Sequence, residues 1–200
     1  VKITEIKPQV KQTSRYSIYI DGKYAFSLSE AALLEQQLVS GQELTAAEVK
    51  SYKKLSVDDK LYGNALRYAV MRPHSHWEMQ TYLKRKKVEE PVAQQILQKL
   101  EQLNLLDDLA FARSWVASRH LLKAVSRRRL VQELKQKHVS EDVIASVLEE
   151  DETDERATLA ELVAKKRQLS QYQDKTKLMQ YLARQGFSYD DIKSALQDDY

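Results

Sequence analysis

Apolar and polar positions alternate in only one region of the chain. Tyr16, Ile18 and Ile20 lie two residues apart, Asp21-Gly22 follows, and Tyr24, Phe26 and Leu28 resume the alternation. A period of two marks strands with one apolar face. An Asp-Gly pair between two such runs is a strong hairpin signal, because a type I′ turn needs positive φ at both central residues. Lys2 to Lys7 is expected to supply a third strand. Ser29 is expected to cap a short helix through Ala31, Leu34 and Leu38 that Gly41 stops. Thr45 to Glu48 has capping-box spacing for a second helix, running to about Leu55.

From Ser56 onward the apolar spacing becomes three and four, the spacing of one helix face. Ser56-Val57-Asp58-Asp59 reads as the start of a helix carrying Leu61, Ala65, Leu66, Ala69 and Val70 and ending before Pro73. Ser75 to Glu78 has capping-box spacing for the next helix, with Met79 and Leu83 inward. A third helix runs from about Glu90 through Val92, Ile96, Leu97 and Leu100. This pattern recurs. Leu83, Val88 and Leu97 have counterparts in Leu134, Val139 and Leu148, and again in Leu182, Phe187 and Leu196. Cap candidates Ser75, Ser126 and Asp174 precede them at one fixed offset, and Met79, Leu130 and Leu178 at another. Self-similarity of this kind marks a repeat array whose units stack on their neighbours.

The expected fold is therefore mainly α: a tandem repeat of three three-helix units behind a small N-terminal α/β region with a β-hairpin. The expected divisions are 1–55 for the N-terminal region, then 56–104, 105–150 and 151–200 for the units. The acidic run Glu149 to Glu155 is expected to form the first turn of a helix after a bend between units, where the helix dipole favours negative charge.

Composition narrows the class. Cysteine is absent, so disulfides and thiolate chemistry are excluded, and no stretch approaches the roughly 18–20 apolar residues of a membrane span. No signal-peptide core is seen at the N-terminus, so a cytoplasmic address is expected. The net charge of +3 is unevenly spread: +1 over residues 1–60, +8 over 61–138 and −6 over 139–200. A basic middle suggests a polyanionic or acidic partner.

Enzyme signatures are missing. The four glycines are scattered, so no phosphate-cradling loop exists, and there is neither a His-Glu-x-x-His pair nor a Gly-x-Ser-x-Gly elbow. His74 and His76 lie at an interhelix turn with no third ligand in view, and Asp107-Asp108 suits a helix start better than acid–base chemistry. No cofactor or metal is expected. Trp77 and Trp115 read as core. Arg127-Arg128-Arg129 is the oddity: behind a Ser126 cap, three cations occupy a first turn where the dipole disfavours them by roughly 0.3–1 kcal/mol each. Beside free N–H groups they would form an anion site, and replacing them is expected to leave folding intact or slightly improved. Together with Lys84, Arg85, Lys86, Lys87, Arg119, Lys123 and Lys135, they are the candidate partner-binding residues.

Leu105-Leu106-Asp107-Asp108, then Phe111-Ala112, Trp115-Val116 and Arg119, resembles the signature of the RecX regulatory proteins, modulators of the RecA recombinase. Arg129-Leu130, Glu133-Leu134 and Lys137 are similar to its continuation, and Ser75, Glu78, Leu83 and Lys86 to its earlier helix. The resemblance covers about residues 60–200 and is strongest over 104–139. Family members usually place glycine after the second helix of a unit. Here only Gly186 keeps it, with Lys87 and His138 in the equivalent places. Longer members carry a further C-terminal unit, and the hairpin lies outside the signature. A monomer is expected, and the resemblance implies a non-enzymatic protein that binds the RecA filament along its groove, across neighbouring protomers. There it represses ATP hydrolysis and strand exchange, and so modulates recombination, DNA repair and the SOS response. A direct nucleic-acid-binding helical repeat is the alternative, and a structural adaptor a third reading.

Overall fold

In the computed structural model, which describes residues 1–10, 12, 14–122 and 124–197, the hairpin forms as its sequence predicts. Strands β1 (Ile3–Pro8), β2 (Arg15–Ile20) and β3 (Lys23–Ser29) make an antiparallel sheet in chain order. Asp21 and Gly22 take φ of 46° and 77°, the pair of positive values that a type I′ turn requires. The alternation in β3 is broken, however. The register passes from Ile18 opposite Phe26 to Tyr19 opposite Tyr24, leaving Ala25 as a bulge. That extra residue turns Tyr24 away from Phe26 and Leu28, so it is exposed and meets Tyr19 edge-on at 6.1 Å.

Helix α1 (Glu30–Glu35) starts where expected, with the Ala32 N–H donating to Ser29 Oγ. It ends earlier than Gly41, at Glu35, and Gln37 just beyond it adopts φ 51°. Leu34 is therefore exposed, while Leu38 is buried from a loop. Gly41, at φ 90°, serves instead to lay the following segment along β1, its N–H donating to the Ile3 carbonyl.

The two helices expected around residue 56 are one. Helix α2 (Ala46–Met71) opens with the Thr45–Glu48 capping box and runs through Ser56-Val57-Asp58-Asp59 without interruption. Ser56 and Asp59 face the sheet rather than capping a helix. Ser56 Oγ donates to the Ser27 carbonyl at 2.6 Å. Asp59 Oδ2 accepts from Arg15 Nη1 at 2.7 Å and from the Ser29 N–H at 2.8 Å. Arg15, itself buried, also donates to Ser27 Oγ and to the Ser27 and Ser56 carbonyls. The apolar counterpart is a cluster of Ile3, Ile18, Phe26, Leu28 and Leu44 closed by Tyr52 and Leu55 of α2.

The remaining helices are α3 (His76–Arg85), α4 (Glu90–Gln102), α5 (Asp108–Leu122), α6 (Arg127–Gln136), α7 (Glu141–Glu150), α8 (Glu155–Arg167), α9 (Lys175–Arg184) and α10 (Tyr189–Gln197), with a 3-10 turn at Ser170–Tyr172 before α9. Helices α3, α6 and α9 are each ten residues long. Leu83, Leu134 and Leu182 occupy equivalent positions in them and are buried, as are Met79, Leu130 and Leu178 one turn earlier. By contact the chain divides into two compact units, residues 1–72 with 82–102 and residues 73–81 with 103–200. Among the described residues of the second lie an apolar core of Phe111, Val116, Leu130, Leu134, Ile144 and Leu148 and another of Leu159, Val163, Leu178, Leu182, Phe187 and Ile192.

The acidic run divides differently from expectation. Asp151 to Thr153 is not helical, Asp154 is the cap of α8, and only Glu155 lies in its first turn. Asp151 instead binds the His120 ring at 3.0 Å and Thr153 Oγ at 2.6 Å. Burial raises the Asp151 carboxyl value, but these contacts outweigh it and the net direction is down.

Candidate partner-binding surface

A repeated joint organises the second compact unit. Ser75 Oγ accepts from the Glu78 N–H at 3.2 Å and donates to the Lys137 carbonyl at 3.1 Å. One repeat later, Ser126 Oγ accepts from the Arg129 N–H, and the Ser126 N–H donates to the Gln185 carbonyl, both at 3.1 Å. Each cap serine is thus sealed by the turn of the following three-helix segment, and both are fully buried. That turn contains a left-handed residue, His138 at φ 57° in the first joint and Gly186 at φ 95° in the second. Asn or Gly is usual at such a position because a Cβ is strained there.

The two joints tolerate different residues for a steric reason. His138 stacks on Trp77 with ring centroids 4.9 Å apart. At Gly186 a Cβ would lie 2.3 Å from Ser126 Oγ and 2.9 Å from Arg129 Cβ. Gly186→Ala is therefore expected to cost about 1–3 kcal/mol, the range for overpacking a tight site, measured by chemical unfolding. Lys87, at φ 55° and exposed, is the opposite case. Lys87→Gly is expected to raise stability by about 0.5–1 kcal/mol through relief of backbone strain.

Around the first joint lies a charged network. Glu133 accepts from Arg119 Nε at 2.6 Å, Trp115 Nε1 at 3.0 Å and Arg129 Nε at 3.1 Å. The Arg119 guanidinium lies over the Trp115 ring at 4.6 Å, and Lys137 Nζ approaches the same ring at 5.2 Å while binding Glu78 at 2.8 Å. Burial opposes ionisation of Glu133, yet the hydrogen bonds from Arg119, Trp115 and Arg129 hold its carboxyl below the ordinary value of 4.5. The unfolded chain therefore takes up this proton at higher pH than the folded chain. The stabilisation is complete above that ordinary value and is lost as pH falls through the lower folded one. Glu133→Gln is expected to show a shallower acid limb when melting midpoints are compared between about pH 7 and pH 3.

The candidate residues therefore fall into groups. Arg119 and Arg129 are brought together, but on Glu133. Arg127 donates to the Leu148 carbonyl, satisfying a group left open at the end of α7. Lys135 pairs with Glu141 at 2.6 Å. The arginine triplet does not build an open anion cradle at the start of α6, because Ser126 occupies the Arg129 N–H and the Gln185-Gly186 turn covers that end. Two of its three members are engaged, Arg127 on the Leu148 carbonyl of α7 and Arg129 on Glu133 within α6. Of the triplet, Arg128 alone is exposed with no hydrogen bond or ion pair among the described residues.

In the other compact unit, Lys84, Arg85 and Lys87 are exposed and make no ion pair among the described residues, and Lys86 Nζ lies 5.7 Å from the Tyr82 ring. Lys84 and Arg85 close α3, where the dipole favours cations. Lys123 lies outside the described residues. Sequence reasoning missed Glu133 and Lys137 as the network's organisers. The Arg129–Glu133 spacing of four was visible, but their cross-helix partners were not.

Asp107 and Asp108 act at helix starts, as their spacing suggested. Asp107 accepts from the Leu109 and Ala110 N–H groups, and Asp108 from the His76 N–H at 2.8 Å. Among the described residues no group of three or more His, Asp or Glu is placed to hold a metal ion, and no helix is long and apolar enough to cross a membrane.

Four family models match the chain: the regulatory protein RecX N-terminal domain over residues 1–45, and the first, second and third three-helix domains of RecX over 62–100, 107–148 and 153–196. The regulatory protein RecX of Lactobacillus johnsonii is 35% identical over 153 residues, which are 76% of this chain and 56% of that protein. The chain thus spans little more than half the length of that relative. The regulatory protein RecX of Bacillus subtilis is 31% identical over 97% of this chain and 75% of its own length. A crystal structure of regulatory protein RecX superposes with a TM-score of 0.73 at 27% identity, covering 98% of both chains.

Proposed function

This chain belongs to the RecX family of regulatory proteins, and from that premise we propose that it binds the RecA filament and represses ATP hydrolysis and strand exchange without catalysing a reaction itself. In this reading it acts in the cytoplasm as a monomer, through an N-terminal region and the three-helix units 56–104, 105–150 and 151–200. The observation that carries it is a set of cations that the fold does not use. Lys84, Arg85, Lys87 and Arg128 are exposed and make no ion pair among the described residues, so their charge is available to a partner. Several modest patches on a tandem array suit a filament, whose repeating surface adds weak contacts by avidity.

The test is ATP hydrolysis by preformed RecA filaments on saturating single-stranded DNA. The parent protein is expected to suppress it. The variant Lys84→Ala, Arg85→Ala, Arg128→Ala is expected to need about tenfold more protein for half-inhibition, equivalent to roughly 1.4 kcal/mol, with its melting midpoint unchanged. Should the same variant instead lose naked-DNA affinity with a salt slope reduced by about one per lost contact, the cations meet phosphates directly. A parent protein that leaves hydrolysis untouched overturns the reading.

A further inference from the structure

Helix α5 buries Phe111, Ala112 and Val116 in its core, yet it ends in Leu121 and Leu122, which are 86% and 77% exposed. Two adjacent aliphatic side chains left in water at a helix end form a small apolar patch of the kind that marks an interaction site when it borders a concavity. Here it does. Leu121 and Leu122 edge a groove of about 510 Å³ whose lining includes Leu162 of α8 and Tyr181 of α9.

The rim of this groove is cationic. Lys165 is exposed, and Lys166 Nζ is held over the Tyr181 and Tyr172 rings at 4.9 and 5.6 Å. Among the described residues Glu161 is the one carboxylate in the lining, and the His120 ring is engaged by Asp151. We propose that the groove is the docking site for an apolar side chain flanked by carboxylates on the surface of the filament protein. The inference rests on the reading that the chain binds that filament. It assigns the contact to protein rather than to nucleic acid, because a phosphate backbone would satisfy the lysines while leaving both leucines unburied. A protein knob satisfies both, as apolar anchors ringed by polar groups do at protein interfaces.

The experiment compares the parent with Leu121→Ser, Leu122→Ser and, separately, with Lys165→Glu, in RecA ATPase inhibition and in binding to a fluorescent single-stranded oligonucleotide. All three positions are exposed, so melting midpoints are expected to hold. Half-inhibition is expected to require at least about tenfold more of the double serine variant and more of Lys165→Glu, with oligonucleotide binding unchanged for the serine variant. Inhibition by the serine variant at the parental concentration overturns the groove while leaving filament binding in place. Absence of inhibition by the parent removes the filament reading, and the groove's partner with it. A parent that self-associates through these leucines, becoming monomeric in the serine variant, assigns the groove to a second copy and overturns the proposal.

Discussion

Asp59→Ala is expected to destabilise the first compact unit by about 3–5 kcal/mol, the cost of leaving one partner of a buried ion pair uncompensated. The Arg15 and Asp59 side chains are 10% and 8% exposed. Asp59 also receives the N–H and hydroxyl of Ser29, so its loss strips the α1 cap of its support. Arg15 would keep its bonds to Ser27 and the Ser56 carbonyl but would be left as a buried cation without a counter-charge. Amide exchange in β2 and β3 is the measurement, since both tryptophans lie in the other unit. A companion experiment separates charge from packing. Arg15→Met with Asp59→Leu removes both partners and is expected to be less destabilising than Asp59→Ala alone, because no unpaired charge remains. Near-parental exchange in Asp59→Ala would show that water reaches Arg15 and that the pair is not what joins α2 to the sheet.

Leu134→Ala is expected to cost about 2–5 kcal/mol, as large-to-small changes in closed cores do. Leu134 is fully buried in the core of Phe111, Val116, Leu130, Ile144 and Leu148, with Trp115 packed against it, so Trp fluorescence reports its unfolding. The repeat makes the prediction stricter. Leu83 and Leu182 are 1% and 0% exposed at equivalent positions, so Leu83→Ala and Leu182→Ala should fall in the same range. Leu121→Ala, at an exposed site, should stay within about 0.5 kcal/mol of the parent. Similar costs for Leu134→Ala and Leu121→Ala would mean that burial does not determine stability here.

Much of the fold was legible because its signals are local. Asp21-Gly22 announces its turn since few residues accept positive φ. Ser29, Thr45 and Ser126 announce helix starts because a side-chain oxygen reaches an N–H only two or three residues ahead. The three-helix repeat is legible for the same reason, as cap, apolar face and turn recur at fixed offsets. Local reading failed where a polar residue serves a distant element. Ser56 and Asp59 look like a helix start, yet they face β2 and β3 from the middle of α2. Arg127 and Arg129 look like cations set against a dipole, yet one satisfies α7 and the other holds Glu133.

The hairpin, most helix starts, the repeat and the membership in the RecX family were thus readable from the chain, because each depends on contacts within a few residues or on their recurrence. Which cations are engaged and which are free was set by the packing of distant segments. That packing also decided that α2 is continuous and that Gly186 must remain glycine beneath Ser126, and it left Leu121 and Leu122 beside an open groove. A charge is neutralised, or a side chain buried, by whatever the chain brings alongside in space. That partner can stand 44 residues away, as Asp59 does from Arg15.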